Sequence, residues 1–468
     1  MDIKTNLQEL FQNEKEAFFL NSYSQYSERI TKLKILRSVI VNNQSIIITA
    51  VNQDFGCRPQ HETQTLEIFP CLDSIDYAIK NLKKWLKPRK HKASKWFWPS
   101  KCSVLPVPLG VIGIISPWNY PLFLTIAPLV AALAAGNRAL IKMSESVPNL
   151  ASLLKRLLEN NNLAKVIVGD ADIASHFSQL PFDHLFFTGS TTIGKKIMQA
   201  ASTNLTRLTL ELGGKSPAII CSHELKIDYI NKLWLGKILN AGQTCIAPDY
   251  VFLPKGLSNQ LLSDSIACQQ VEQLDIATDQ YCSIINETNY NRLLSLIDDA
   301  EQKGATWHPL KYTNNSWCSN KDDIYKISPG LLFNVNNTMQ VMQQEIFGPI
   351  LPVVEYNDID KLVISLQLMP SPLALYLFTE NPELVHKLCH HSRSGALSIN
   401  ATVLHAAQES LPFGGIGNSG IGCYRGQYGF ETFSHLKPIY KHSQYNIFTK
   451  FYPPVKKWQK LMLKYLLK

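Results

Sequence analysis

The feature that most constrains the fold of this chain is a rhythm running from residue 110 to residue 190. Short apolar or β-branched runs, "GVIGIIS" (110–116), "ALIKM" (139–143), "AKVIVG" (164–169) and "HLFFTGS" (184–190), are separated mostly by helix-length segments. Alternation of this kind implies crossover units and an α/β fold with a mostly parallel sheet. Runs that are apolar throughout suit strands buried on both faces. The rhythm returns from about residue 219 to 354 with runs such as "YVFLP" and "PILPVVEY", which predicts a second α/β unit. Ahead of it, residues 6–54 carry helical periodicity that "FGCRP" (55–59) ends.

At 468 residues the chain has ample length to bury cores without covalent staples. Its ten cysteines form no CxxC pair, so no metal site is read. The start of the chain has no basic head followed by a sustained apolar core, which is not a secretory pattern, and reduced thiols in a cytoplasmic setting are expected. The longest apolar run, "LFLTIAPLVAALAA" (122–135), has 14 residues against the ~20 that span a bilayer, and Pro128 interrupts it. It reads as a buried helix.

The net charge of +9 raises the question of a polyanionic partner. "KKWLKPRKHKASKWFW" (83–98) mixes basic and aromatic residues, but no nucleic-acid-binding motif accompanies it, and it reads as a solvated linker between a helix and a strand. In the closing "KKWQKLMLKYLLK", helical spacing puts Trp458, Leu461, Met462 and Tyr465 on one face and Lys457, Lys460, Lys464 and Lys468 on another. Such a helix can lie on an anionic membrane, or dock on its own protein or a partner subunit. It is too short and too charged to span. The glycine-rich 411–440 reads as sharp turns anchored by Phe413, Tyr424, Phe430 and Phe433.

Two stretches suit a nucleotide. "FTGSTTIGKK" sets Gly189, Ser190 and Gly194 between a strand and a helix, where backbone N–H groups meet a pyrophosphate, although turn and cap chemistry would explain them equally well. "LIKMSE" ends a strand with Lys142 and then Glu145, a pair able to hold ribose hydroxyls or simply to start a helix.

"SPWNYP", "FTGS", "LELGGKSP", "NAGQTC" and "EIFGP", in this order, resemble the aldehyde dehydrogenase superfamily over nearly all of residues 20–440, and the glycine-rich ending resembles its class 3, fatty-aldehyde and coniferyl-aldehyde branch. One departure is Met143, where the family usually has proline. The resemblance implies a Rossmann-type dinucleotide-binding domain (1–80 and 107–211), an α/β catalytic domain (212–402) and a small β bridging element for oligomerisation (81–106 and 403–468) that ends in the basic tail. Strands near 103–106 and 439–445 are expected to form that element in a homodimer.

The resemblance also implies roles. Cys245 becomes the nucleophile, its thioester being readily hydrolysed. Asn119 and the Cys245 backbone N–H hold the oxyanion. Glu211 is the general base for hydrolysis, and its presence argues against transfer of the acyl group to coenzyme A. Lys142, Glu145, Gly189, Ser190, Gly194, Leu212, Glu345 and Phe347 fall at cofactor-binding positions, and Tyr120 is expected in the wall of the substrate pocket. The implied reaction is oxidation of an aromatic aldehyde such as coniferaldehyde, or of a medium- to long-chain aliphatic one, with NAD, or with NADP as an alternative. A coenzyme A-acylating enzyme and a non-catalytic membrane-associated scaffold are the rival readings.

Overall fold

The apolar runs of 110–190 become the centre of a six-stranded sheet in the computed structural model, which describes residues 3–467 except 223, 314, 447, 449 and 450. The spatial order is Gly420–Ile421, Arg207–Glu211, His184–Thr188, Val111–Ile115, Arg138–Lys142, Lys165–Ile167. All pairings are parallel except that of Gly420–Ile421, which runs antiparallel along Arg207–Glu211. Every residue of Val111–Ile115 and of His184–Thr188 is buried, as strands covered on both faces require. Numbered by chain order, the five parallel strands lie 3-2-1-4-5. The order therefore reverses between Val111–Ile115 and His184–Thr188, and ligands bind open α/β sheets at such a switch point.

A second sheet of seven strands runs Thr306–Pro309, Gly330–Phe333, Ile350–Tyr356, Tyr250–Pro254, Pro217–Ile220, Ala374–Phe378, Ala396–Ile399, antiparallel only at its first pair. A third sheet joins Arg89–His91, Lys101–Pro108 and Ser434–Lys441, all antiparallel, with Leu105 opposite Lys437. Its last strand begins five residues before the expected position. The buried Phe433 anchors the chain just before Ser434, and beyond Lys441 the Asn446 side chain bonds Phe97, Ser100 and Tyr440, turning the backbone out of the sheet.

The helix Phe123–Ala135 is buried at all thirteen positions and runs through Pro128 instead of stopping there. A proline costs a helix interior ~3 kcal/mol, which burial of so many apolar side chains outweighs. Gly136, at φ 92°, caps its end. The buried Arg29 donates to the carbonyls of Ala134 and Ala135, at 3.1 and 2.8 Å. At the N-terminal side, Gln60–Thr63 passes through a π turn at Gln64–Ile68 into the helix Phe69–Trp85. The last helix is Lys457–Leu466, and Lys468 lies outside the described residues. No described helix is long and apolar enough to cross a membrane.

Candidate active site

A cleft of about 1070 Å³ opens at the switch point. That is large enough for a dinucleotide together with a small substrate. Pro117 and Trp118 follow the first parallel strand into its wall, Thr188–Ser190 follow the fourth, and Glu211–Gly213 end the fifth. Cys245, Glu345 and Phe347 come from the other side. The helix Thr191–Ser202 points its N-terminus at the cleft, with Ser190 as its cap accepting from the N–H of Ile193.

Cys245 stands on a loop between the helix Ile227–Ile238 and the strand Tyr250–Pro254. Asn240, Ala241 and Gly242 adopt left-handed conformations there, at φ 53°, 51° and 73°. At Gly242 a Cβ would come within 2.4 Å of the Gly348 carbonyl oxygen, so only glycine fits. The strained backbone is held from several sides. The Asn240 N–H donates to both carboxylate oxygens of buried Glu62 at 3.2 Å, and the Gln243 side chain bonds Asn240 and Ser283 at 2.9 Å.

Asn119 meets this loop directly. Its side-chain amide donates to the Gln243 carbonyl at 3.1 Å, and an amide has a second N–H to offer. Its backbone carbonyl accepts from Arg58 Nη1 at 2.9 Å and from the Asn240 side chain at 3.0 Å. Arg58 also pairs with Glu67 at 3.0 Å, with both side chains fully out of solvent. Glu67 in turn accepts from the N–H groups of Leu122 and Phe123. The segment Arg58–Glu67 thus underpins both Asn119 and the cysteine loop.

The titratable groups around the cleft are heavily perturbed. Burial drives the Glu211 carboxyl well above its usual range, against a pull from Arg425, and neither oxygen has a hydrogen-bond partner among the described residues. Burial and then Asp249 push Glu345 up to about 8, while the Gly214 N–H pulls it down. Its carboxylate lies against Gly213, where a Cβ would sit 2.0 Å from Oε2. Burial, with Glu345 and Glu211 adding to it, pushes the Cys245 thiol up to about 12, although the backbone N–H groups of Cys245 and Ile246 work the other way. Lys237, fully buried on the preceding helix, is pushed down to about 7 by burial.

Comparison with known proteins then supplies the family. Residues 4–439 match the Aldehyde dehydrogenase family. The chain belongs to the aldehyde dehydrogenase family. A Pseudomonas aeruginosa protein named "Probable coniferyl aldehyde dehydrogenase" is 42% identical over 98% of this chain and 96% of its own. A Staphylococcus aureus "4,4'-diaponeurosporen-aldehyde dehydrogenase" is 37% identical over 92% of this chain and 93% of its own. The solved substrate-bound Staphylococcus aureus AldH superposes with a TM-score of 0.90 at 34% identity, covering 100% of both chains. Family membership makes this chain an NAD(P)-dependent aldehyde dehydrogenase, oxidising an aldehyde to the carboxylic acid.

In this aldehyde dehydrogenase Cys245, Glu211, Asn119, Gly189, Ser190, Leu212, Glu345 and Phe347 share the walls of one cleft. Four expected site residues do not line it. Gly194 is buried one helical turn behind, where a Cβ would lie 2.6 Å from Leu212, so it serves helix–strand packing. Lys142 is buried with Nζ donating to the Met143 carbonyl at 2.6 Å, and Glu145 is exposed nearby. Tyr120 lies outside the residues that line this cleft: its hydroxyl bonds Thr244, the neighbour of Cys245, at 2.6 Å and its ring lies against the Arg58 guanidinium. Trp118 lines the cleft, edge-on to Phe347 at 5.3 Å. Arg58, Glu62, Glu67, Lys237 and Arg425 are the residues that sequence reasoning missed. Only the charges in "CRPQHETQTLE" gave a signal: Arg58 sits in the segment taken as a helix stop, and Glu62 and Glu67 follow it closely.

Proposed function

We propose that Cys245 attacks the aldehyde carbonyl carbon while the free amide N–H of Asn119 and the backbone N–H of Cys245 take the negative charge that develops on oxygen. The S–C bond forms as the thiol proton leaves to a base; Glu211 in the cleft wall is the candidate, and it passes that proton on to solvent before the hydrolytic step. A dinucleotide held in the cleft would supply the acceptor for the hydride that departs from the former aldehyde carbon. Glu211 then takes a proton from water as the water oxygen attacks the thioester carbon; the S–C bond breaks, the thiol is restored and the acid leaves. The carrying observation is that Cys245, Asn119 and Glu211 share one cleft in which both Glu211 oxygens are buried without hydrogen-bond partners among the described residues.

The cofactor reading rests on three features: the helix N-terminus behind Ser190, the bare Gly213 surface, and the Glu345 carboxylate resting on it. Gly189, Ser190, Leu212, Glu345 and Phe347 would hold it, with Lys142 and Glu145 beyond the cleft wall. An exposed acid such as Glu145 repels a 2′-phosphate, which favours NAD over NADP. The six-stranded sheet with its helices is then the nucleotide-binding unit, the seven-stranded sheet the catalytic one, and the three-stranded sheet the bridging element.

Coniferaldehyde is the proposed substrate, following the most similar relative named above, with a long-chain aldehyde as the alternative. The outer strand Ser434–Lys441 has an open edge and seven exposed residues, which suits pairing in a homodimer. All ten cysteines are unpaired, which suits a reducing cytoplasm. The test is NADH and NADPH production across an aldehyde panel, with and without coenzyme A. Wild type should form free acid without coenzyme A, and Cys245→Ala should form no reduced cofactor. Coenzyme A-dependent turnover would overturn the hydrolytic reading.

A further inference from the structure

Charge is distributed very unevenly along this chain. Residues 81–108 and 433–468 contain 16 of its 46 lysines and arginines and none of its 37 acidic residues. The other 30 basic residues face all 37 acids, so the rest of the protein is net acidic at −7. The two segments are more than 300 residues apart in sequence, yet the fold makes them one unit.

The three-stranded sheet joins them, with Lys101–Pro108 along Ser434–Lys441. Aromatic rings extend the union: Phe97 lies 4.8 Å from Phe448, Phe448 lies 6.0 Å from Phe451, and Phe451 lies 6.2 Å from Trp458. That chain of rings leads from the 95–97 turn to the terminal helix Lys457–Leu466. Two of the 16 basic residues, Lys450 and Lys468, lie outside the described residues. Of the remaining 14, only Arg89 has an acidic partner among the described residues, Glu431.

The terminal helix leaves most of its apolar face uncovered. It turns Gln459 inward, with Met462 and Leu463 half-buried. Trp458, Leu461 and Tyr465 face solvent at 48, 72 and 81% exposure. Lys457, Lys460 and Lys464 are exposed on the same short helix. Trp98 at 71% and Tyr445 at 83% exposure continue the pattern on the neighbouring segment.

We propose that the terminal helix of this acid-free unit, with the exposed Trp98 and Tyr445, is a peripheral docking surface for an anionic lipid bilayer, separate from the Ser434–Lys441 edge assigned to the homodimer. Lysines beside exposed Trp, Tyr and Leu on one helix match both halves of such a surface: the ammonium groups meet lipid phosphates, and the aromatic and aliphatic groups enter the headgroup boundary. A nucleic acid would answer the charge but not the exposed leucine and tryptophan. The acidic remainder of the protein would be repelled, which orients the molecule with this unit toward the bilayer.

The experiment is flotation of the full-length protein with vesicles of pure phosphatidylcholine and of phosphatidylcholine with phosphatidylglycerol. The protein should float only with the anionic vesicles and be released by high salt. The Lys457→Glu/Lys460→Glu/Lys464→Glu variant should partition about a hundredfold more weakly, with turnover of a soluble aldehyde and the dimer both unchanged. Four results would overturn the proposal: equal flotation with both vesicles, wild-type flotation of the triple variant, capture of duplex DNA in place of vesicles, or conversion of the triple variant to monomer with no vesicle binding by wild type. The last would make this face an interface between copies.

Discussion

Arg58 Nη1 forms an ion pair with the Glu67 carboxylate, at 3.0 Å, and donates to the backbone carbonyl of Asn119, at 2.9 Å. One fully buried guanidinium thereby ties an N-terminal helix to the residue proposed to hold the oxyanion. Removing one partner of a buried pair leaves an uncompensated charge, at a cost of about 3–5 kcal/mol. Glu67→Gln should therefore lower the midpoint of thermal unfolding markedly. Arg58→Met/Glu67→Leu should recover much of that stability yet remain slow in kcat, because the Asn119 peptide has lost its donor. Full recovery of kcat in the double variant would refute the positioning role.

Gly242 offers a cleaner test of the cysteine loop. In Gly242→Ala the added Cβ would lie 2.4 Å from the Gly348 carbonyl oxygen at a φ of 73°, so the loop must shift. A displacement of about 1 Å at a nucleophile costs about a hundredfold in rate. The expectation is a drop of that order in kcat with dinucleotide affinity by calorimetry little changed.

The thiol itself should be sluggish in the free enzyme. With Cys245 pushed up to about 12, almost none of it is thiolate at neutral pH. Alkylation by iodoacetamide, followed at Cys245 by mass spectrometry, should accelerate about tenfold per pH unit from pH 7 to pH 10. A plateau near pH 8 would mean an activated thiol before any ligand binds.

Glu211 gives a pH dependence with a defined sign. Its carboxyl is held well above 4.5 by burial, so at low pH it is neutral and accepts no proton, and its basic fraction grows as pH rises. Turnover limited by thioester hydrolysis should therefore increase as pH rises above the ordinary carboxylate range. Glu211→Gln should flatten that rise and leave a burst of NADH. Stability runs the other way. The unfolded chain releases this proton near 4.5 while the folded chain keeps it, so stability falls as pH climbs from there toward the folded pKa. Glu211→Gln should therefore unfold at a higher temperature than wild type at pH 8.

Much of the site was readable because its key residues sit in short local motifs. Asn119, Ser190 and Glu211 each end or follow an apolar run, Phe347 lies just before the run 349–356, and together with Cys245 all five residues reach the cleft. Contacts between distant stretches were not readable. Glu62 meets Asn240 across 178 residues, and Arg58 meets Asn119 across 61. A charged residue in a helical pattern looks the same whether it faces water or a buried partner. The contacts of Tyr120 and the rotation of the terminal helix were not readable for a related reason: the pattern gives the spacing of side chains along an element, whereas rotation is fixed by what the element packs on.

The π turn at Gln64–Ile68 has a practical bearing on attempts to harden this protein. Glu62 stands on the helical turn just before it and Glu67 within it, so the turn sets the rotation of one carboxylate relative to the other. An engineer who deleted a residue there to restore a regular helix would gain backbone order while rotating one carboxylate off its target. The sturdier molecule would be the poorer catalyst, its least regular turn having been the one that aligned the reaction.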